Sequence, residues 1–198
     1  MAALAASSQA AFADVPYFYV VNPGTRVVAE VLAHRTDDGS PVVLSPNYGV
    51  PSQQFSVQRL PPSGNPELLQ GQWFLLQARH SGKCLKINGF RAGAAIVQET
   101  CSWDASQMWR LRTVVMTAAE CSTRNQCFVG RRTVLENYYD NRGRRCLDAA
   151  NGYFSGAPEQ GAGLRASDCI ARFSVPTAAN QEWELVDVQE WDAPFVVR

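Results

Sequence analysis

Three nine-residue segments of this chain begin with glycine and run alike: GSPVVLSPN from Gly39, GAAIVQETC from Gly93 and GAGLRASDC from Gly161. Each is followed by a Gln-x-aromatic triplet: Gln53-Gln54-Phe55, Gln107-Met108-Trp109 and Gln181-Glu182-Trp183. Upstream of each glycine a short basic turn leads into an apolar strand, GTRVVA from Gly24, GKCLKI from Gly82 and GRRCLDA from Gly143. One unit is written three times. Such a repeat constrains the fold strongly, because no single copy can bury its apolar face without the others.

The six cysteines fall into place within that unit. Cys84 and Cys101 occupy matched positions of the second copy and Cys146 and Cys169 those of the third, where the first copy has Val27 and Asn47. A position pair that is cysteine at both ends or at neither selects Cys84–Cys101 and Cys146–Cys169 from the many pairings six cysteines allow. Cys121 and Cys127 remain, inside an insertion, and are expected to close a small loop of their own. No C-x-x-C pair occurs, so metal knuckles and thioredoxin-type redox chemistry lose support. Bridges around loops of this length contribute on the order of 3 kcal/mol each and fit an oxidising compartment.

Local patterns speak for strands and turns. YFYVV, RVVAEVLA, WFLLQA and TVVM are short, β-branched or aromatic, and bounded by Gly, Pro, Asn or Asp. The one stretch with helical spacing, ELLQGQWFLLQ, carries Gly71 in its middle. Residues two apart on a strand share a face, which predicts that Gln53 with Phe55, Gln107 with Trp109 and Gln181 with Trp183 all point inward. The three aromatics can then fill one core while each glutamine amide satisfies backbone groups at a neighbouring turn.

These residues resemble the ricin B-type lectin domain, whose repeats carry a Gln-x-Trp triplet, a Cys-Leu-x segment and a second cysteine. The resemblance implies an all-β protein, a β-trefoil of three pseudo-threefold repeats of four strands with disulfides, over about residues 16–188. The repeats are placed at about 16–60, 72–113 and 134–188, with an insertion at 114–133 and a C-terminal tail at 189–198. Further excess length lies in PPSGNPELLQG and ARFSVPTAAN. Trp191, Phe195, Val196 and Val197 of the tail are apolar enough to cover the barrel mouth or dock a partner.

In active repeats of that family an Asp stands two residues after the first cysteine, an aromatic two before the second, and an Asn before the Gln. Such a set gives a pyranose a carboxylate and an amide for its hydroxyls and a ring for its C–H face. Carried onto this chain, the first repeat supplies Ala29, Ser45 and Ser52 and is expected to be silent. The second supplies Lys86, Glu99 and Ser106, which replaces the carboxylate by a cation and the ring by an acid. The third keeps Asp148, Asn180 and Gln181 but has Ser167 at the ring position. A replacement ring is sought in Tyr153 or Phe154 of NGYFSG, or in Phe173. Arg165, two residues before Ser167, shares its face and can bond a hydroxyl or an acidic sugar group. Against that reading, Asp148 can simply cap the turn through Asn151-Gly152, and either ring can be core packing. Arg131, Arg132, Arg142, Arg144 and Arg145 can read an acidic glycan or form a solvated turn.

The expected partner is a glycan of galactose type or an acidic one; a protein partner held by the insertions is the rival, as for a toxin or enzyme subunit or a protease inhibitor. Lys+Arg and Asp+Glu both number 18, so no net field favours nucleic acid. No apolar run approaches the length that spans a bilayer. The start, MAALAASSQAAFADVP, ends its apolar stretch in Ala11-Phe12-Ala13, a small-x-small pattern that reads as the tail of a secretion signal, with a low-complexity terminus at 1–15 as the alternative. An extracellular location is expected. No cofactor or metal is implied. His34 and His80 are the only histidines, and no G-x-S-x-G or HExxH motif occurs, which argues against an enzyme.

Overall fold

The computed structural model describes residues 15–59, 73–89, 91–116, 130–138, 145–149, 161–169 and 180–191. Twelve strands fall into three groups of four: β1 Tyr17–Val21, β2 Val28–Val31, β3 Val42–Ser45 and β4 Gln54–Arg59; β5 Phe74–Ala78, β6 Cys84–Ile87, β7 Ala94–Glu99 and β8 Trp109–Met116; β9 Gly130–Asn137, β10 Arg145–Ala149, β11 Leu164–Asp168 and β12 Glu184–Asp187. In each group the first and last strands build a barrel wall. The wall runs through antiparallel pairs β1–β4, β4–β5, β5–β8, β8–β9 and β12–β1. It closes where the Trp183 N–H donates to the Thr133 carbonyl at 2.9 Å, beside the bridge Val134↔Glu182. The middle strands form the hairpins β2–β3, β6–β7 and β10–β11. Hairpin pairing also closes a seven-strand ring, β5–β6–β7–β11–β10–β9–β8 and back to β5. The architecture is β-trefoil-like.

The repeated glycines join the hairpins to one another. Gly39, Gly93 and Gly161 have φ of +79°, +88° and +86°, a left-handed backbone that glycine enters without steric cost. Each then donates its N–H to the next repeat: Gly39 to Gln98 O at 2.9 Å, Gly93 to Ala166 O at 2.7 Å, and Gly161 to Leu44 O at 3.0 Å. The three bonds run in a cycle. An added Cβ would meet nothing within 4 Å at any of the three, so conformation and not space demands glycine.

One apolar cluster takes residues from every repeat, including Val20, Leu44 and Phe55, Leu76, Leu85 and Trp109, and Leu135, Leu147 and Trp183. Phe55, Trp109 and Trp183 are fully buried. Their inward orientation matches the expectation, but the glutamines do not reach it by strand alternation. Gln53 and Gln107 end short 3-10 turns, Pro51–Gln53 and Ala105–Gln107, ahead of β4 and β8. A turn places the side chain inward while leaving its amide level with the loop it bonds. The indoles add a tie that phenylalanine lacks, with Trp109 Nε1 donating to Leu85 O at 3.0 Å and Trp183 Nε1 to Leu147 O at 2.9 Å.

The disulfides Cys84–Cys101 and Cys146–Cys169 are present. The expected Cys121–Cys127 bridge lies outside the described residues. The β8–β9 ladder continues to Met116↔Gly130, so strand occupies both ends of the segment that the sequence assigns to an insertion at 114–133. The reason is that cross-strand pairing continues as long as both chains stay extended, whatever the repeat boundary. At the other end of the chain the short helix α1, Val188–Trp191, sets Trp191 edge-on to Tyr19 at 5.4 Å, with the Arg26 guanidinium 4.6 Å over the indole. That is a barrel contact made by the tail. Phe195, Val196 and Val197 lie outside the described residues. No helix among the described residues is long and apolar enough to cross a membrane.

Gly93→Ala is expected to lower the unfolding free energy by about 1–2 kcal/mol in denaturant titration, with Gly93→Asn costing less, because Ala pays for a left-handed backbone that Asn tolerates better. Equal stability of Gly93→Ala and the parent would contradict a conformational role.

Candidate functional site

The hairpin ladders fix which residues are equivalent. Cys84 lies opposite Glu99 and Cys146 opposite Ser167, each two residues before the second cysteine. In the first repeat Val28 lies opposite Ser45, two residues before Asn47. Val28, not Val27, is therefore the counterpart of the cysteines, and the position two residues on is Glu30, not Ala29. From its glycine to the cysteine position the first repeat's turn is one residue longer than the third's and two longer than the second's, and matching it to the third on the glycine slipped the register by one. A slip of one exchanges the faces of a strand. The expectation that the first repeat lacks a carboxylate fails for that reason.

Glu30 is almost buried, and Gln53 Nε2 donates to its Oε2 at 3.0 Å and to Pro46 O at 2.8 Å. The Gln53 carbonyl oxygen accepts from the Tyr48 N–H at 2.8 Å. His34 Nδ1 lies 2.6 Å from the buried Ser52 hydroxyl, and Asn47 Nδ2 is buried without a hydrogen-bond partner among the described residues. A warning was available in VVAEV: a lone acid inside an apolar strand must be paired if it is buried.

The second repeat is built for the opposite charge. Lys86 pairs with Glu99 at 3.4 Å. Gln107 spans the turn alone, donating to Thr100 O at 2.9 Å and accepting from the Ser102 N–H at 2.8 Å. Asp104 caps that turn through the Ser106 N–H at 3.0 Å. Burial pushes the Asp104 carboxyl up, and hydrogen bonds from the Ser106 and Ser102 hydroxyls and the Ser106 N–H outweigh it, so the group sits below its ordinary value. A lowered carboxyl stabilises the turn above the unfolded-state value, and that support is lost as pH falls through the folded one.

The third repeat brings three of its expected residues together. Gln181 Nε2 donates to Asp148 Oδ2 at 2.9 Å and to Asp168 O at 3.1 Å. Arg165 lies directly across the hairpin from Asp148, and its Nε donates to Asp148 Oδ1 at 2.9 Å. Asn180, next to Gln181, is 6% exposed, and its side-chain oxygen has no hydrogen-bond partner among the described residues. Arg145 forms an ion pair with Asp168 on the same hairpin. The sequence placed Arg165 on the face of Ser167; that it would grip Asp148 follows only from the β10–β11 register. Tyr153, Phe154, Phe173, Arg142 and Arg144 lie outside the described residues, as do the side chains of Arg131 and Arg132. The three ring positions hold Ser45, Glu99 and Ser167. His80 Nε2 lies 2.8 Å from the Arg35 carbonyl, a contact between repeats.

Gln53→Ala is expected to cost about 1–3 kcal/mol of stability, since it strips a buried carboxylate of its donor. The double variant Gln53→Ala with Glu30→Ala should lose less than the two single losses added, and strict additivity in denaturant titration would disprove the coupling.

A family model described as "Ricin-type beta-trefoil lectin domain-like" matches residues 51–127. No curated protein matches the chain. Among solved structures, the Rhizoctonia solani agglutinin is similar with a TM-score of 0.60 at 14% identity, covering 94% of this chain and 99% of that one. The C-half of an earthworm R-type lectin, solved in complex with GalNAc, has a TM-score of 0.50 at 11% identity, covering 87% and 98%. A chain of the cytolethal distending toxin from Actinobacillus actinomycetemcomitans has a TM-score of 0.55 at 16% identity, covering 91% and 96%. Likeness at these identities concerns the fold.

Proposed function

We propose that this chain is a secreted, ricin B-like carbohydrate-binding module without catalytic activity of its own, with its principal sugar site on the third hairpin. The observation that carries the reading is the meeting of Asp148 and Gln181, 2.9 Å apart, next in sequence to an Asn180 whose buried side-chain oxygen lacks a partner among the described residues. A buried acceptor left unpaired is costly, and a ligand hydroxyl is the kind of group that satisfies it. The two disulfides support an oxidising compartment. The first hairpin is a second candidate, because Glu30 and Gln53 reproduce the carboxylate and amide pair.

A rival reading is a protein-binding trefoil, favoured by the absence of a ring at Ser45, Glu99 and Ser167 and by the likeness to a toxin chain. Stacking on a ring supplies much of the affinity of a sugar site.

The test is a glycan array probed with the oxidised chain, with Asp148→Asn and Glu30→Gln beside it; both variants keep shape and remove charge. A signal abolished by Asp148→Asn and retained by Glu30→Gln is expected. The reverse pattern would move the site to the first hairpin. Silence from the folded parent would overturn the sugar reading in favour of a protein partner.

A further inference from the structure

We infer that the third hairpin selects saccharides carrying an anionic group, and that Arg165 is the residue that reads it. The inference rests on the third hairpin being a sugar site. The equivalent positions of the three repeats present different charges to a ligand. Glu30 lies across from Val43, Lys86 from Val97 and Asp148 from Arg165, so only the third hairpin sets a guanidinium opposite its carboxylate.

Accessibility decides which member of that pair a ligand meets. The Arg165 side chain is 39% exposed and that of Asp148 is 7%. Both Asp148 oxygens already accept a bond, Oδ1 from Arg165 Nε and Oδ2 from Gln181 Nε2. A neutral sugar bound in the usual manner through vicinal hydroxyls would compete for these inward-facing oxygens. The guanidinium, in contrast, spends its Nε edge on Asp148, and no hydrogen bond from Nη1 or Nη2 to a described residue is seen. That end edge matches a carboxylate in two parallel charge-assisted bonds. Asp148 fixes the plane of the fork, which reduces the rotamer freedom lost on binding. It also repels the ligand's anion, but from behind the guanidinium and at greater distance, so attraction prevails.

Lys86 does not offer the same recognition. Its ammonium is already paired with the exposed Glu99 and lacks a planar fork.

Calorimetric titration of the full oxidised chain with 3′-sialyllactose, lactose and a sulfated lactose provides the test, with Arg165→Gln, Asp148→Asn and Lys86→Gln as variants whose folding is checked by thermal denaturation. Sialyllactose is expected to bind roughly tenfold or more tightly than lactose, in line with the worth of a charged hydrogen bond. Arg165→Gln should abolish that preference, Lys86→Gln should leave it intact, and added salt should weaken it. A sulfated lactose that matches sialyllactose would show that charge is read without carboxylate geometry. Lactose binding that equals sialyllactose binding, survives Arg165→Gln and is lost in Asp148→Asn would overturn the anionic assignment and leave the sugar site standing. No binding of any of the three by the folded parent would remove both.

Discussion

The cycle of three glycine N–H bonds, from Gly39 to Gln98, from Gly93 to Ala166 and from Gly161 to Leu44, is the constraint on which the rest of the structure depends. Each bond exists only because the donor adopts a left-handed backbone, and each ties one hairpin to the next. A hairpin by itself is marginal in water. Three hairpins joined in a ring become a cap, and it carries Glu30, Lys86, Asp148 and Arg165 on its strands.

The cap is fastened to the barrel from below by the triplets. Trp109 and Trp183 fill the common core with their rings and bond hairpin carbonyls through their indole N–H groups, at Leu85 and Leu147. The glutamine two residues earlier serves the turn above. In the first and third repeats that glutamine also bonds a carboxylate, so the same side chain closes a loop and positions an acid. Closing a loop and positioning an acid are thus linked through one amide, which explains why a scaffold triplet lies so close to the proposed binding position.

The three copies diverge where the scaffold makes no demand. Core positions keep their apolar character in every repeat, whereas the position after Ala29, Leu85 and Leu147 is Glu30, Lys86 and Asp148. Packing fixes apolar character at the core positions, whereas Glu30 and Asp148, though buried, are satisfied by hydrogen bonds from Gln53 and Gln181. A threefold scaffold therefore carries three electrostatically distinct hairpins.

Much of the fold was legible from the residues alone. The repeated glycine, the Gln-x-aromatic triplet and the matched cysteines together implied three equivalent units, two disulfides and an aromatic core, because each is a local signal repeated at corresponding places. Asp148, Asn180 and Gln181 were grouped by the resemblance to the ricin B-type lectin domain. Tertiary structure decided the rest. It set the strand register that makes Glu30 the first-repeat counterpart of Asp148, put Gln53 and Gln107 on turns instead of strands, and locked Arg165 onto Asp148. A repeat identifies which segments are alike, but strand alternation has a period of two, so one residue of uncertainty in a turn reverses which side chains face the site. Only the hydrogen-bonded ladder removes that uncertainty.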